Sequence, residues 1–448
     1  TFSNKMTFDE YKIPKFLKQS LATMGITTPT TIQEKTFPIA TSGRDIVGIA
    51  QTGTGKTLAY LLPVLTQWRF SKAPDPQIVI LLPTRELVTQ VYDTIIKLTE
   101  GANIHTVQFY GGVGMQPQAA AIAEGADIVV STPGRLLDMI LNGHMRGRDV
   151  KKLVIDEFDE MLQQGFNNQL GRIFDLLPAK RQNLLFSATM SDAIDNLVNT
   201  YFNNPERVEA APPATPIEKI EQVIYEVPNF NTKINLLNML LASKEEMQRV
   251  LVFVGTLQLA DKVYEMLSEE NKSEADYIHS KRTQSQRFRA LRGFALNEFR
   301  ILIATDLVAR GIDVAGVTHV INFDLPADPQ QYVHRIGRTG RADNEGKAMS
   351  MCAPLEAEKL EEIETLIGCN IPKHNLPEEL KISEIITSLD VPSYRMKNQL
   401  IETDATPGKA FHERLEKNQK VNVRISHKEK MQQKYGKPIT KGRVHRKR

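Results

Sequence analysis

Short runs of Val, Ile and Leu recur along the chain without polar alternation, and each ends on a polar signature. QIVILLPTREL is one, carrying Ile78–Leu82; ADIVVSTPGR, KKLVIDEFDE, RQNLLFSAT, RVLVFVGT, FRILIATDLVARG and THVINFD are others. A strand with one wetted face alternates apolar and polar positions, whereas a strand covered on both faces does not. Longer stretches with helical spacing lie between the runs. The pattern predicts buried parallel strands joined by helices, an α/β architecture. In such sheets ligands bind outside the carboxyl ends of the strands, which is where the polar signatures stand.

The rhythm breaks at EAAPPATPI, Glu209–Ile217, where three prolines among small residues predict an extended linker. About five strand signals precede it. From Glu218 to about Gly368 the strand–helix rhythm returns with no detectable sequence repeat. The expectation is two tandem α/β domains, residues 1–208 and 218–368, joined by 209–217 and followed by an extension, 369–448. A chain of 448 residues is in any case too long for one core. LEAEKLEEIETLIG, Leu355–Gly368, predicts an amphipathic closing helix.

Composition narrows the class. The apolar runs are too short for a membrane span, and no secretory signal pattern opens the sequence. It opens on Thr1 rather than Met, so one or more residues are expected to precede it. Cys352 and Cys369 are too few for a disulfide framework or a zinc site and fit a reducing cytoplasm. The net charge of +3 hides an asymmetry: Thr406–Arg448 holds 14 Lys and Arg against 3 Asp and Glu, leaving 42 against 50 elsewhere. A basic tail on a mildly acidic body points to a polyanionic partner. The alternative is a disordered, solvated tail that serves solubility.

Three stretches carry chemistry. AQTGTGKT, Ala50–Thr57, stands between an apolar run and a helical pattern, where a glycine-bearing turn lets backbone N–H groups wrap a phosphate. Lys56 would reach the outer phosphates and Thr57 would ligate Mg²⁺; Ala50 stands where the usual first Gly would be. In VIDEFD, Val154–Asp159, Asp156 is the candidate Mg²⁺ carboxylate and Glu157 the candidate base for water. Asp159 could also cap the helix that carries Met161 and Leu162. HRIGRTGR, His334–Arg341, places three arginines within seven residues. Arg338 and Arg341 suit phosphate recognition as arginine fingers, with a solvated basic turn or a nucleic-acid backbone contact as alternatives.

Taken in order, these motifs resemble those of the DEAD-box RNA helicases of helicase superfamily two, from about Phe8 to Gly368. The resemblance implies two RecA-like domains, each a parallel sheet flanked by helices, plus a basic tail expected to be disordered. GITTPTTIQ, Gly25–Gln33, resembles the family's adenine-reading motif, with Phe8 as the stacking aromatic. A Gln amide can pair with both adenine N6 and N7, so Gln33 implies ATP. Thr52, Gly53, Thr54, Gly55, Lys56 and Thr57 would cradle its phosphates, and Asp313 would hold the ribose. Pro83, Thr84 and Arg85 of PTREL, Gly112 of the Gly111–Gly112 pair, and Thr132, Gly134 and Arg135 of TPGR resemble RNA-backbone contacts. So do Thr256 of VFVGT, Arg287 of QSQR and Thr305 of ATDLVARGID in the second domain. Ser187 and Thr189 of SAT, tied to Asp159, resemble the motif that couples hydrolysis to RNA. Asp306, Arg310 and His334 are implied at the domain interface.

Two positions depart from the pattern: Phe158 stands for the usual Ala, and HSK, His279–Lys281, for the more common HGD. Side chains alternate along a strand, so Phe158 is expected to point away from Glu157, either packing inside the first domain or pressing on the SAT loop. The whole pattern with its short basic tail resembles most the bacterial RhlE-like branch. The implied function is a cytoplasmic, Mg²⁺- and ATP-dependent RNA helicase that acts on single-stranded and short duplex RNA, in ribosomal or messenger RNA complexes. An ATP-gated RNA clamp or assembly scaffold is the alternative, and a DNA helicase or translocase of the same superfamily a third. Phosphate contacts position a strand without reading its sequence, so little sequence preference is expected.

Overall fold

The computed structural model describes residues 7–50, 53–71, 73–209, 220–306, 316–340 and 346–391. Thr52, Arg310, Asp313, Arg341, residues 210–219 of the expected linker region and the basic tail lie outside these residues. Seven strands, β1 (Ile46–Ile49), β2 (Ile78–Leu81), β3 (Thr106–Phe109), β4 (Ile128–Ser131), β5 (Lys152–Ile155), β6 (Gln182–Ser187) and β7 (Glu206–Glu209), form a sheet of order β3-β4-β2-β5-β6-β1-β7. A second sheet holds β8 (Ile220–Glu226), β9 (Val250–Val254), β10 (Ala275–Ile278), β11 (Ile301–Thr305), β12 (His319–Asn322), β13 (Gly346–Cys352) and β14 (Lys373–His374). Its order is β10-β11-β9-β12-β13-β8-β14. Both sheets are parallel throughout. Counted from its own first strand, each has the same order, so topology repeats where sequence does not.

The unalternating runs build both sheets for a simple reason. Successive side chains of a strand point to opposite faces, so one apolar run feeds two cores. Ile78 and Ile80 enter one hydrophobic cluster with Val130, Val154 and Leu184, while Val79 and Leu81 enter another with Val129, Ile155 and Leu185. The second sheet divides likewise, with Val250, Val252 and Ile303 on one face and Leu251, Phe253 and Leu302 on the other. Helices cover both faces. Among the described residues no helix is long and apolar enough to cross a membrane.

The closing helix runs Ala357–Ile367 and ends at Gly368, whose φ of 74° suits glycine. Beyond it the chain stays on the second sheet. Ile371 enters the core and β14 pairs with β8. Residues 381–390 then lie along the Phe230–Ala242 helix: Asn235 Nδ2 donates to the Lys381 carbonyl (2.6 Å), and Ser383 N donates to Thr232 Oγ1 (3.0 Å).

Candidate nucleotide site and nucleic-acid interface

The phosphate loop leaves β1 at Ala50, whose N–H donates to the Ser187 carbonyl (3.0 Å). Gly53 and Gly55 have φ of 84° and 92°, a left-handed backbone that a side chain would strain. A Cβ on Gly55 would also overlap the Gln33 amide. The turn therefore delivers its N–H groups to the start of the Lys56–Thr66 helix, the geometry of an anion cradle. Gln33 is buried, and both ends of its amide are engaged inside the domain. Nε2 donates to the Gly55 carbonyl (3.0 Å), and Oε1 accepts from Thr30 N (2.9 Å). This differs from the free adenine-reading amide expected; here Gln33 braces the phosphate loop. Phe8 differs too. It is 3% exposed and packs against Tyr11, ring centroids 5.5 Å apart, in the core rather than presenting an open face.

Lys56 lies buried at the first turn of that helix, and β5 ends beside it. Its Nζ stands 3.0 Å from Glu157 Oε1 and 3.9 Å from Asp156 Oδ1. Glu157 adopts φ 52°, a left-handed conformation that a non-glycine residue holds at a cost of about 1–3 kcal/mol. That backbone turns the carboxylate toward Lys56 at the junction between strand and helix. Burial pushes the Asp156 carboxyl up to about 6, against the pull of the Lys56 ammonium. Burial pushes Glu157 up as well, but Lys56, His334 and Arg338 outweigh it and hold the carboxylate below its usual range. His334 and Arg338 come from the second domain, so its cations face the first domain's carboxylate. The Tyr60 hydroxyl, buried near Asp156, is pushed well above the usual phenol range. The apolar pattern LAYLLPVL gave no sign that Tyr60 borders the site.

The residues present fit a nucleotide and a divalent cation. Among the described residues no three His, Cys, Asp or Glu side chains form a metal site by themselves. A cation here would draw on Asp156, the Thr57 hydroxyl and phosphate oxygens together. A carboxyl that burial, with the neighbouring Glu157 carboxylate, drives up to about 6 is one that a cation would relieve.

Two expectations for VIDEFD change. Phe158 does not continue the strand: β5 stops at Ile155, and Phe158 opens the Phe158–Gln163 helix. Strand alternation therefore does not set its direction. Its ring is fully buried in the cluster that holds Ile155, Met161, Leu185 and Ile194, with Met190 packed at its edge. Asp159 is not the cap of that helix, since Glu157 occupies the cap position. Asp159 Oδ2 instead accepts from Thr189 N (3.2 Å) and Thr189 Oγ1 (3.1 Å), while Ser187 Oγ donates to the Thr189 carbonyl (2.7 Å).

The RNA candidates divide by position. Thr84, Thr132 and Thr256 stand at the N-caps of helices that begin at strand ends, and the Thr84 and Thr256 hydroxyls accept from Leu87 N and Leu259 N. Helix starts of this kind offer N–H groups to phosphate. Pro83 is buried behind Thr84, and Gly134 lies in the first turn after Thr132. Arg135 Nη2 donates to the Val113 carbonyl (2.9 Å) and so braces the loop that holds Gly112. Gly112 has φ 78°, and a Cβ there would overlap the Arg85 guanidinium. Thr305 closes β11, its buried Oγ1 without a hydrogen-bond partner among the described residues.

Arg287 has a different surrounding from the one expected. It is 8% exposed and pairs across the domains with Glu86 (2.8 Å). Gln284 bridges the same gap, its Nε2 donating to Glu86 Oε1 (3.0 Å) and its Oε1 accepting from Arg85 Nη1 (3.1 Å). The sequence also missed Arg335. It is 2% exposed, clamps both Asp306 oxygens (2.5 and 2.7 Å), and donates to the Asp324 carbonyl (2.6 Å). Asp306 is thus held from within its own domain.

Family comparison agrees with this geometry. A DEAD/DEAH box helicase profile matches residues 30–197, and a helicase conserved C-terminal domain profile matches 232–343. The DEAD-box ATP-dependent RNA helicase CshA of Bacillus licheniformis is 38% identical over 362 residues, 80% of this chain and 73% of its own. The chain belongs to the DEAD-box RNA helicase family. RhpA of Helicobacter pylori, another DEAD-box ATP-dependent RNA helicase, is 35% identical over 86% of this chain and 80% of its own. Among solved structures, S. cerevisiae Dbp5 bound to RNA and ADP BeF3 superposes with a TM-score of 0.74 at 30% identity. The match covers 83% of this chain and 95% of that one, so it spans both RecA-like domains.

Proposed function

We propose that this DEAD-box protein is an ATP-driven switch on RNA, in which the two domains together complete one ATPase site. The observation that carries the reading is the meeting of Lys56, Asp156 and Glu157 from one domain with His334 and Arg338 from the other. Membership of the family makes the chain an RNA-dependent ATPase of the helicase class. In this reading the amides around Gly53 and Gly55 and the Lys56 ammonium bind the ATP phosphates, with Thr52 and Thr54 beside them. Asp156 and Thr57 would hold Mg²⁺, which supplies charge neutralisation at the phosphates. Glu157 accepts a proton from, or orients, the attacking water. Arg338, with Arg341 after it, stabilises the charge that develops on the transferring phosphoryl group. Asp313 would hold the ribose.

RNA would lie across the helix starts at Thr84, Thr132 and Thr256, with Gly112 leaving room for backbone and Thr305 offering its hydroxyl. Asp159 links the DEFD turn to Thr189 and so to the SAT loop, which supports a coupling role for Ser187 and Thr189. Arg287 and Gln284 then serve closure through Glu86 and Arg85. The protein seen bound to RNA and ADP BeF3 is Dbp5; for this chain, single-stranded and short duplex RNA are the proposed partners. The RhlE-like assignment rests on the overall motif pattern and the short basic tail and is a proposal within the bacterial members, where CshA and RhpA are the similar relatives. A cytoplasmic setting agrees with two free cysteines, Cys352 and Cys369.

Strand separation tests the helicase reading directly. A short RNA duplex with a single-stranded flank should open with ATP and stay closed with a non-hydrolysable analogue. Retention of RNA in the analogue complex with no strand separation under ATP would favour the clamp instead.

A further inference from the structure

Because the two sheets share one strand order, each strand of the first domain has a counterpart in the second. Lys56 lies on the helix that follows the first strand and meets Glu157, the second residue past the fifth strand. In the second domain the helix after the first strand is Phe230–Ala242, and it carries Lys233, 3% exposed. The fifth strand is β12, and the second residue past it is Asp324. Lys233 Nζ stands 3.5 Å from Asp324 Oδ1. The pairing of lysine with carboxylate therefore recurs between corresponding elements, with Lys56 the first residue of its helix and Lys233 the fourth.

The phosphate cradle does not recur. Val227, Pro228 and Asn229 lead into the helix without a glycine. The first N–H of the helix is taken by the chain itself: Asp390 Oδ1 accepts from Phe230 N (2.6 Å), and Oδ2 accepts from Thr387 N (2.7 Å). Lys233 instead donates to the Phe323 carbonyl (2.7 Å) and pairs with Glu356 Oε2 (2.5 Å). It thus fixes the Phe323–Asp324 turn. That turn is a junction. Asp324 Oδ2 accepts from Gly255 N (2.9 Å), and the Asp324 carbonyl accepts from Arg335 Nη1 (2.6 Å). Arg335 also grips Asp306; His334 precedes it in the Pro329–Ile336 helix, and Arg338 follows just past the Gly337 cap.

We propose that Lys233 is a positioning residue of the ATPase, the second domain's counterpart of the phosphate-loop lysine, turned from holding phosphate to holding the turn that anchors the Arg338 segment. The inference rests on the functional reading above. A buried lysine with two carboxylates and a carbonyl around it is a poor device for stability alone, since an apolar replacement of similar shape is often as stable. It is a good device for fixing a loop to within tenths of an ångström, and misplacement by about 1 Å can lower turnover about 10²-fold.

Two variants separate position from stability. Lys233→Met removes the ammonium but leaves Glu356 charged; Lys233→Met with Glu356→Gln removes that stranded charge while keeping an acceptor for Leu325 N. With single-stranded RNA and well below the unfolding temperature, both should lose about tenfold or more in kcat, with the ATP KM within about twofold. The double variant should recover thermal stability without recovering kcat. Recovery of kcat together with stability in the double variant would overturn the proposal. So would an unchanged kcat in a folded Lys233→Met protein, or a loss expressed in KM alone. Absence of RNA-stimulated hydrolysis in the unsubstituted protein would instead overturn the functional reading itself.

Discussion

Glu157 is the residue on which geometry and charge converge. Its left-handed backbone and its pairing with Lys56 set its carboxylate beside the phosphate loop, where the proposed function has it activate water. Glu157→Gln keeps the shape and removes the base, so ATP and RNA should still bind while turnover falls about 10²-fold or more, read by single-turnover hydrolysis. Asp156 makes a prediction about pH. In the folded chain its carboxyl is pushed up to about 6, from an ordinary value near 4, chiefly by burial. Between those values the folded chain alone holds the proton, so raising pH through that window removes stability. The same proton competes with Mg²⁺. Half-saturating Mg²⁺ for hydrolysis should therefore be about fourfold higher at pH ~5.5 than at pH ~7.5; equal values would contradict the role of Asp156. The motif identities of Lys56, Asp156 and Glu157 were legible in the chain as written. The left-handed turn at Glu157 and the clamp at Arg335 were not, because both depend on what the fold brings alongside.

At the scale of elements, the unalternating runs announced the central strands, since burial on both faces leaves that mark. Strands nearer the margins were silent for the opposite reason: β8 reads IEQVIYE and β13 reads GKAMSMC, mixing polar with apolar positions. The end of β5 was also misplaced, because FDEML reads as well from a strand as from a helix start. Phe158, now the first residue of that helix, fills the core between β5 and the helix after the SAT loop. Phe158→Ala should cost about 3–5 kcal/mol in denaturant unfolding. Normal stability with altered RNA stimulation would instead give the ring a coupling role. The Glu86–Arg287 pair belongs at this scale too, joining one helix of each domain. A double-mutant cycle with Glu86→Ala and Arg287→Ala should show coupling of about 0.5–3 kcal/mol in RNA-stimulated kcat/KM.

At the scale of the molecule, two domains of one topology have divided their labour: the first retains the glycine turn and the buried carboxylates, and the second supplies cations and a polar bridge. The basic tail from Thr406 adds 14 positive residues beyond them. Removing it should weaken RNA binding and flatten the dependence of affinity on salt; unchanged affinity at low salt would make it a spacer. The central claim, that the two domains together form one RNA-stimulated ATPase site, is met most directly by steady-state ATP hydrolysis with and without single-stranded RNA, in the unsubstituted chain and in Arg338→Ala. The account predicts strong stimulation of the unsubstituted chain by RNA, weaker stimulation by single-stranded DNA, and loss of the stimulated rate in the variant. Hydrolysis that ignores RNA, or an Arg338→Ala protein stimulated as fully as its parent, would contradict it.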